Sequence, residues 1–554
     1  MKKIIGFLLG MNLVLAGIFA QDFDFGDFGM ENDSEKSVKI SGNVSSKIRS
    51  YEDEIEGGAE AELDIKHSGN SADAQIKLNL NSSTILENPE DILKEAYLTA
   101  YFGNLKIDAG KMNVVWGKGD KLHVLDNFNA DDYTDFIIPD YLERRIATPM
   151  IRASYGFNFS NNFLSNMKIE AVYTPFLPVD RFATNGRWVP LQVENLSEKV
   201  SSNAISYLSL TVENLERARL EANTANALQT LGTDDAKSKL STIIMQAVND
   251  GKISIDSTKV ATLMQSGISQ TDATNAVAAQ TYSEYLEKNL SDANSAYILA
   301  LNNVSVLQNN SNIFYPNTNI LKYGQAGTRF TATIGSVDLG MSYYYGHYKQ
   351  PSFNATKFDS CIEKYLSGKT LNDDDKFLTY DKKQTFGVEV ATILWHFNLR
   401  GEVAYNLTED IEGTDPLIHN NSVQWLCGFD IDLPFWNMNL NVQETGTYIL
   451  KNDKITGSTY ELYDVDYNKN SYANNKIVAN ITTSFANEKI APEVTVMYGI
   501  ENGDLVVLPK LTLKPSGEVS FVANGMYIWC RDDSSEFAVW DKNNFVQLGA
   551  SISF

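Results

Sequence analysis

The sequence closes on Val546-Gln547-Leu548-Gly549-Ala550-Ser551-Ile552-Ser553-Phe554. Every second residue is apolar and those between are small or polar, the period-2 pattern of a strand with one dry face and one wet face. At an apolar fraction of 43%, that pattern arises in one prescribed window with a chance of about 0.002. A strand that is apolar on one face, polar on the other and aromatic at its end suits the wall of a membrane barrel, with lipid outside and water inside.

The same alternation recurs upstream in segments long enough for tilted strands to cross a bilayer. Examples are Ala74-Ile76-Leu78-Leu80, Ala96-Leu98-Ala100-Phe102, Ile151-Ala153-Tyr155-Phe157 and Phe386-Val388-Val390. Further on come Val423-Trp425-Cys427-Phe429-Ile431, Trp436-Met438-Leu440-Val442, Ile477-Ala479-Ile481-Thr483-Phe485 and Val519-Phe521-Ala523-Gly525-Tyr527. The expected fold is all-β: a transmembrane antiparallel barrel of about 16–18 strands. Short turns, such as Gly103-Asn104, Gly335-Ser336 and Trp395-His396, take turns with long polar connections near 113–147, 176–326, 347–382, 407–420, 448–474 and 531–542. Barrels of this class keep short turns in the periplasm and long loops outside, so both ends of the barrel chain are expected on the periplasmic side.

At the other end, Met1-Lys2-Lys3, an apolar run from Ile4 to Phe19, and Ala20 have the layout of a signal peptide over 1–20. Ile18 stands where a small residue is usual, so the cut after Ala20 is less sharply marked than the segment. No cysteine follows to carry a lipid. Residues 21–36 repeat acidic and aromatic residues and read as a periplasmic tail, a plug or a docking segment. Past the signal segment no run of 18 apolar residues occurs, which argues against a helical membrane protein. The barrel is expected to occupy 37–193 and 311–554. Between them, 194–310 loses the strand pattern and is rich in helix formers, with Thr233-Asp234-Asp235 as a helix start and Asp250-Gly251 as a helix stop. By parity this helical insertion is an outer loop or a plug in the barrel mouth, its apolar positions forming a core of its own.

A net charge of -24 argues against nucleic acid as a partner, which needs a basic footprint. Three cysteines, Cys361, Cys427 and Cys530, have no metal-site or disulfide-framework spacing, and the odd count leaves at least one thiol free. In an oxidising compartment a Cys361–Cys530 bridge stays open. His67, His123, His347, His396 and His419 are scattered, and no zinc, nucleophile-elbow or phosphate-loop motif appears, so neither catalytic residues nor a metal nor a cofactor is expected.

If the apolar phase faces lipid, the opposite phase carries the charges: Lys77, Glu95, Lys106, Asp108, Arg152, Lys168, Glu170, Arg329, Glu389, Arg400, Glu402, Asp430 and Glu493. A basic group facing lipid at mid-membrane costs about 2–4 kcal/mol, whereas one facing a wet lumen costs little. These residues either line a solute path or pair to brace the wall.

The most distinctive stretch runs Gly110-Lys111-Met112-Asn113-Val114-Val115-Trp116-Gly117-Lys118-Gly119-Asp120, then Asp126-Asn127-Phe128-Asn129-Ala130-Asp131-Asp132 and Leu142-Glu143-Arg144-Arg145. Carboxylates Asp120, Asp126, Asp131 and Asp132 facing Arg144, Arg145 and Arg152 would suit a pore constriction that selects by charge; the other reading is a loop folded on the rim by its own ion pairs. Over 93–158 the chain resembles a family of bacterial outer-membrane proteins known as a domain of unknown function, with a W-G-x-x-D motif; Met112 and Ala130 replace its usual Gln and Pro. The strand ending at Phe554 likewise resembles the C-terminal assembly signal of bacterial outer-membrane proteins. These resemblances imply a porin-like barrel in the bacterial outer membrane, meeting the lipid bilayer and the barrel-assembly machinery. Three functional readings follow: a porin or substrate-specific channel for small solutes, a surface adhesin or structural protein using the insertion, and uptake of hydrophobic molecules through a plugged barrel. A homo-oligomer is open; nothing in the sequence marks an interface.

Overall fold

Outward-pointing residues of the strands are apolar and exposed, as at Leu98 (64%) and Leu548 (62%), while inward ones such as Asp108 and Glu402 are buried. The computed structural model describes residues 37–157, 163–309, 311–455, 472–533 and 535–554; the expected signal peptide and the 21–36 segment lie outside them. Among the described residues, 18 strands form one antiparallel sheet that closes on itself, the strand Ser37–Ser50 pairing with both Ile55–Ser68 and Phe545–Ser553. The expected barrel of 16–18 strands is borne out at 18, and its apolar outer belt makes it a transmembrane barrel. Each of these 18 strands pairs with the barrel strands before and after it along the chain, so the short turns gather at one end and the long connections at the other.

Two expected strand ends differ by more than one residue. Trp436 and Met438 precede the strand Asn439–Ile449, because Trp436 and Asn437 take left-handed backbone (φ 54 and 53) in the turn. Phe485 lies beyond Ala473–Thr482 and makes only an isolated bridge to Ile490.

A second compact unit comprises Gln192–Pro316 with Asn354–Thr379. Its helices are Leu191–Leu231, Asp234–Asn249, Ser257–Gln265 and Gln270–Asn309, followed by Phe358–Leu366. Thr233 caps the second, its hydroxyl accepting the Ala236 N–H at 3.2 Å. Ala225, Ile244, Ala247, Ile253, Ala278, Tyr282 and Leu286 form a core belonging to this unit itself. The bridge left open by the sequence is not made: Cys361, Cys427 and Cys530 are all free, Cys361 packed inside the helical unit at 1% exposure.

The seam between the strands Ser37–Ser50 and Phe545–Ser553 ends at a glycine. Gly42 exchanges backbone hydrogen bonds with Phe554 at 2.9 and 3.0 Å. A Cβ at Gly42 would overlap the Phe554 ring and lie 2.8 Å from the Glu62 carbonyl oxygen, so the ring uses the space a side chain would fill. Gly42→Leu is expected to cost about 1–3 kcal/mol by overpacking. The fraction of barrel that migrates fast in unheated detergent gels should fall, and Phe554→Ala in the same chain should recover part of it. An unchanged fraction would show that the ring does not help to close the wall.

Candidate functional site

The connection 113–147 leaves the strand Leu105–Met112 and returns into Thr148–Gly156, yet it does not stay at that edge. Its base is closed by Asn129, whose side-chain oxygen accepts the Val114 N–H (2.8 Å) and whose amide donates to the carbonyls of Met112 (3.1 Å) and Ile146 (3.0 Å). Beside that base the Trp116 indole donates to Glu170 at 2.6 Å and packs edge-on to Phe128, among Met112, Val114, Met150, Val172 and Tyr344. The middle of the loop reaches the opposite wall. There Phe136 stacks on Trp188 and belongs to a cluster with Val506, Met526, Ile528 and Phe545, while Asp135 takes a two-pronged ion pair from Arg49 at 2.6 and 2.8 Å. A loop held on both walls crosses the interior.

Side chains of the wall hold its backbone between these ends. Glu402, on the strand Phe397–Leu407, accepts the N–H groups of Lys118 (2.6 Å), Gly119 (2.7 Å) and Val124 (2.9 Å), with His123 Nδ1 at 3.4 Å. Gly117 has φ +113, and a Cβ there would overlap the Glu402 carboxylate. Gln443 Oε1 accepts the next two amides, Lys121 at 3.1 Å and Leu122 at 3.2 Å. Asp120 pairs with Arg400 and accepts from Asn441 at 2.7 Å. The W-G-x-x-D run thus has a physical content: Trp116 anchors on Glu170, Gly117 admits Glu402, and Asp120 ties to Arg400.

The residues expected at a constriction fall into three sets. Asp126 and Arg145 form an ion pair at 2.8 Å with side chains 1% and 2% exposed, Tyr141 donates to Asp126, and Asp131 lies 3.5 Å from Arg145. Burial pushes the Asp126 carboxyl up against the pull of Arg145, and it raises the Tyr141 phenol too. Asp180, which accepts the Asp131 N–H at 3.0 Å, is pushed up to about 6 by burial and then by the Asp131 carboxylate. This set lies within the packing of the loop. Asp132 pairs with Arg181 at 3.1 Å, and Arg144 donates to the Pro139 carbonyl at 2.9 Å. Most wall charges meet partners on an adjacent strand or on their own: Arg152 and Lys106 with Asp108 (2.8 and 3.3 Å), Lys168 with Glu170 (2.8 Å), and Arg400 with Asp430 (2.9 Å); Arg329 reaches Glu389 across the intervening strand Val337–His347, whose Gly340 leaves room for that carboxylate.

Two lysines that sequence reasoning did not single out keep partial access to water. Lys118 stands 3.8 Å from Asp338, and Lys121 is 3.2 Å from Asp140 and 3.6 Å from Glu493. Gln443 and Asn441 were also missed; both share the inward phase, and a search of that phase for amides as well as charges would have found them. Among the described residues no group of His, Cys, Asp and Glu could hold a metal ion.

No family model matches the sequence, and no curated protein matches it. The chain is similar to solved outer-membrane channels at low identity. Acinetobacter baumannii OccAB3 is 9% identical, with 94% of this chain and 99% of that one covered and a TM-score of 0.38. A BenF-like porin from Pseudomonas fluorescens Pf-5 is 7% identical, with 95% and 99% covered and a TM-score of 0.39. Pseudomonas aeruginosa OccK2 (OpdF), solved in complex with glucuronate, is 6% identical, with 94% and 98% covered and a TM-score of 0.38.

Proposed function

We propose that the protein is a bacterial outer-membrane channel passing small charged solutes through a lumen narrowed by the 113–147 loop. One observation carries this reading: a loop with its own apolar anchors is tied across the interior by Glu402, Gln443, Arg400 and Arg49. A barrel used only as an anchor has no need of such a crossbar, whereas a pore needs a narrowing with charges fixed around it. Lys118 and Lys121 opposite Asp338 and Glu493 supply both signs at that narrowing. Purified protein in a planar bilayer should give stepwise conductance. Lys118→Glu with Lys121→Glu should raise the cation-to-anion permeability ratio several-fold, read as a shifted reversal potential in a salt gradient; an unmoved potential would remove these lysines from the path. The adhesin reading draws on Ile205, Leu210 and Leu220, exposed on the helix Leu191–Leu231; no conductance together with specific ligand binding would favour it.

A further inference from the structure

The outer face of the barrel carries one feature that a lipid-facing wall does not need. Glu444 is the central residue of the eleven-residue strand Asn439–Ile449, and it sits in the outward phase with Leu440, Val442 and Tyr448. Directly across it stand Cys427 on one neighbouring strand and Ile477 on the other, both outward as well. Among the described residues no basic group pairs with it. Its partners are neutral donors that supply no countercharge: the Trp425 indole N–H, 3.1 Å from both carboxylate oxygens, and the Cys427 thiol at 3.4 Å. An ionisable group at mid-membrane is costly and marks a contact by default.

The surroundings are shaped for close approach. A Cβ at Gly446 would overlap the Trp425 indole, so that ring lies down against the sheet instead of standing out from it. Gly401 stands across from Cys427, and Ala479 is the outward residue after Ile477. Small residues let two backbones come together in a bilayer. Whatever covers Glu444 must bring a polar group to the same depth, and acyl chains have none. Two copies of one chain in one membrane share orientation, so the same patch on each lies at the same depth, and a two-fold contact sets residue against identical residue.

We propose that this face meets its twin on a second copy of the chain, about a two-fold axis along the membrane normal, with the two Glu444 carboxyl groups sharing one proton taken up from water on association. The proposal rests on the membrane-barrel reading, but not on conduction. The chain carries its own probe, since Cys427 is exposed beside Glu444 while Cys361 is buried. With Cys361 and Cys530 changed to Ser, copper-phenanthroline oxidation in native-lipid discs should give a disulfide-linked dimer, absent in Cys427→Ser, and light scattering should return the mass of two chains. Glu444→Leu should lower the cross-linked fraction at least fivefold, while Glu444→Gln, whose amide both donates and accepts, should keep it. Monomeric mass without cross-linking, or a Glu444→Leu variant that cross-links like its parent, would overturn the proposal. Conductance per barrel should be the same in the Glu444 variants and the parent, so loss of the dimer leaves the channel reading untouched, and a parent that dimerises without conducting defeats only the latter.

Discussion

Glu402→Ala is expected to release the inner loop and raise single-channel conductance several-fold, with added open-channel noise, while the barrel itself stays closed. The carboxylate is the shared acceptor for three loop amides and lies next to His123. Each buried donor left without an acceptor costs about 1–3 kcal/mol, so three of them outweigh a typical loop-ordering gain unless water reaches them. The ladder hydrogen bonds of the strand Phe397–Leu407 run through its backbone, so removing one inward side chain leaves the wall intact. Glu402→Gln keeps one acceptor oxygen but turns an amide group toward the other site, and should fall between the two. The readouts are planar-bilayer recording, and proteolysis within 113–147 compared with mobility in unheated detergent gels. Wild-type conductance and noise in Glu402→Ala would mean that the loop does not limit flow.

The second large effect is expected at Arg145. Its guanidinium is 2% exposed, 2.8 Å from Asp126 and 3.5 Å from Asp131. Arg145→Ala strands a buried carboxylate at a cost of about 3–5 kcal/mol. That exceeds what one loop can absorb, so protease sites within 113–147 should open at least tenfold faster. Arg145→Met combined with Asp126→Leu removes both charges together and should restore most of the protection, because replacing a buried pair by apolar groups of similar size is often neutral. If the double variant is as labile as the single one, the pair is not what holds the loop.

Much of the wall was legible in the sequence because a barrel strand states its two environments residue by residue. The outward run Val423, Trp425, Cys427, Phe429, Ile431 and the inward Asp430 follow from period two alone. The course of the 113–147 loop was not legible. Its tethers are backbone amides, which every residue has, accepted by Glu402 and Gln443 hundreds of positions downstream. Residue type named Asp126 and Arg145 as charges, but their exposure depends on Tyr141 and on the packing around Phe128, which sequence spacing does not show. Glu444 could have been noticed: after Leu440 and Val442 it breaks the outward pattern at the next step. The Gly42 space filled by Phe554 depends on two strands meeting only once the sheet closes.

That meeting governs how the protein forms. Arg49 and Gln547 touch across the seam although 498 positions separate them, so loop-closure entropy for this last contact is near the largest the chain has to offer. Until it is made, the sheet presents two raw edges, each a template for a foreign strand. Productive folding therefore requires both edges to be kept apart from other chains until the strands Ser37–Ser50 and Phe545–Ser553 find each other.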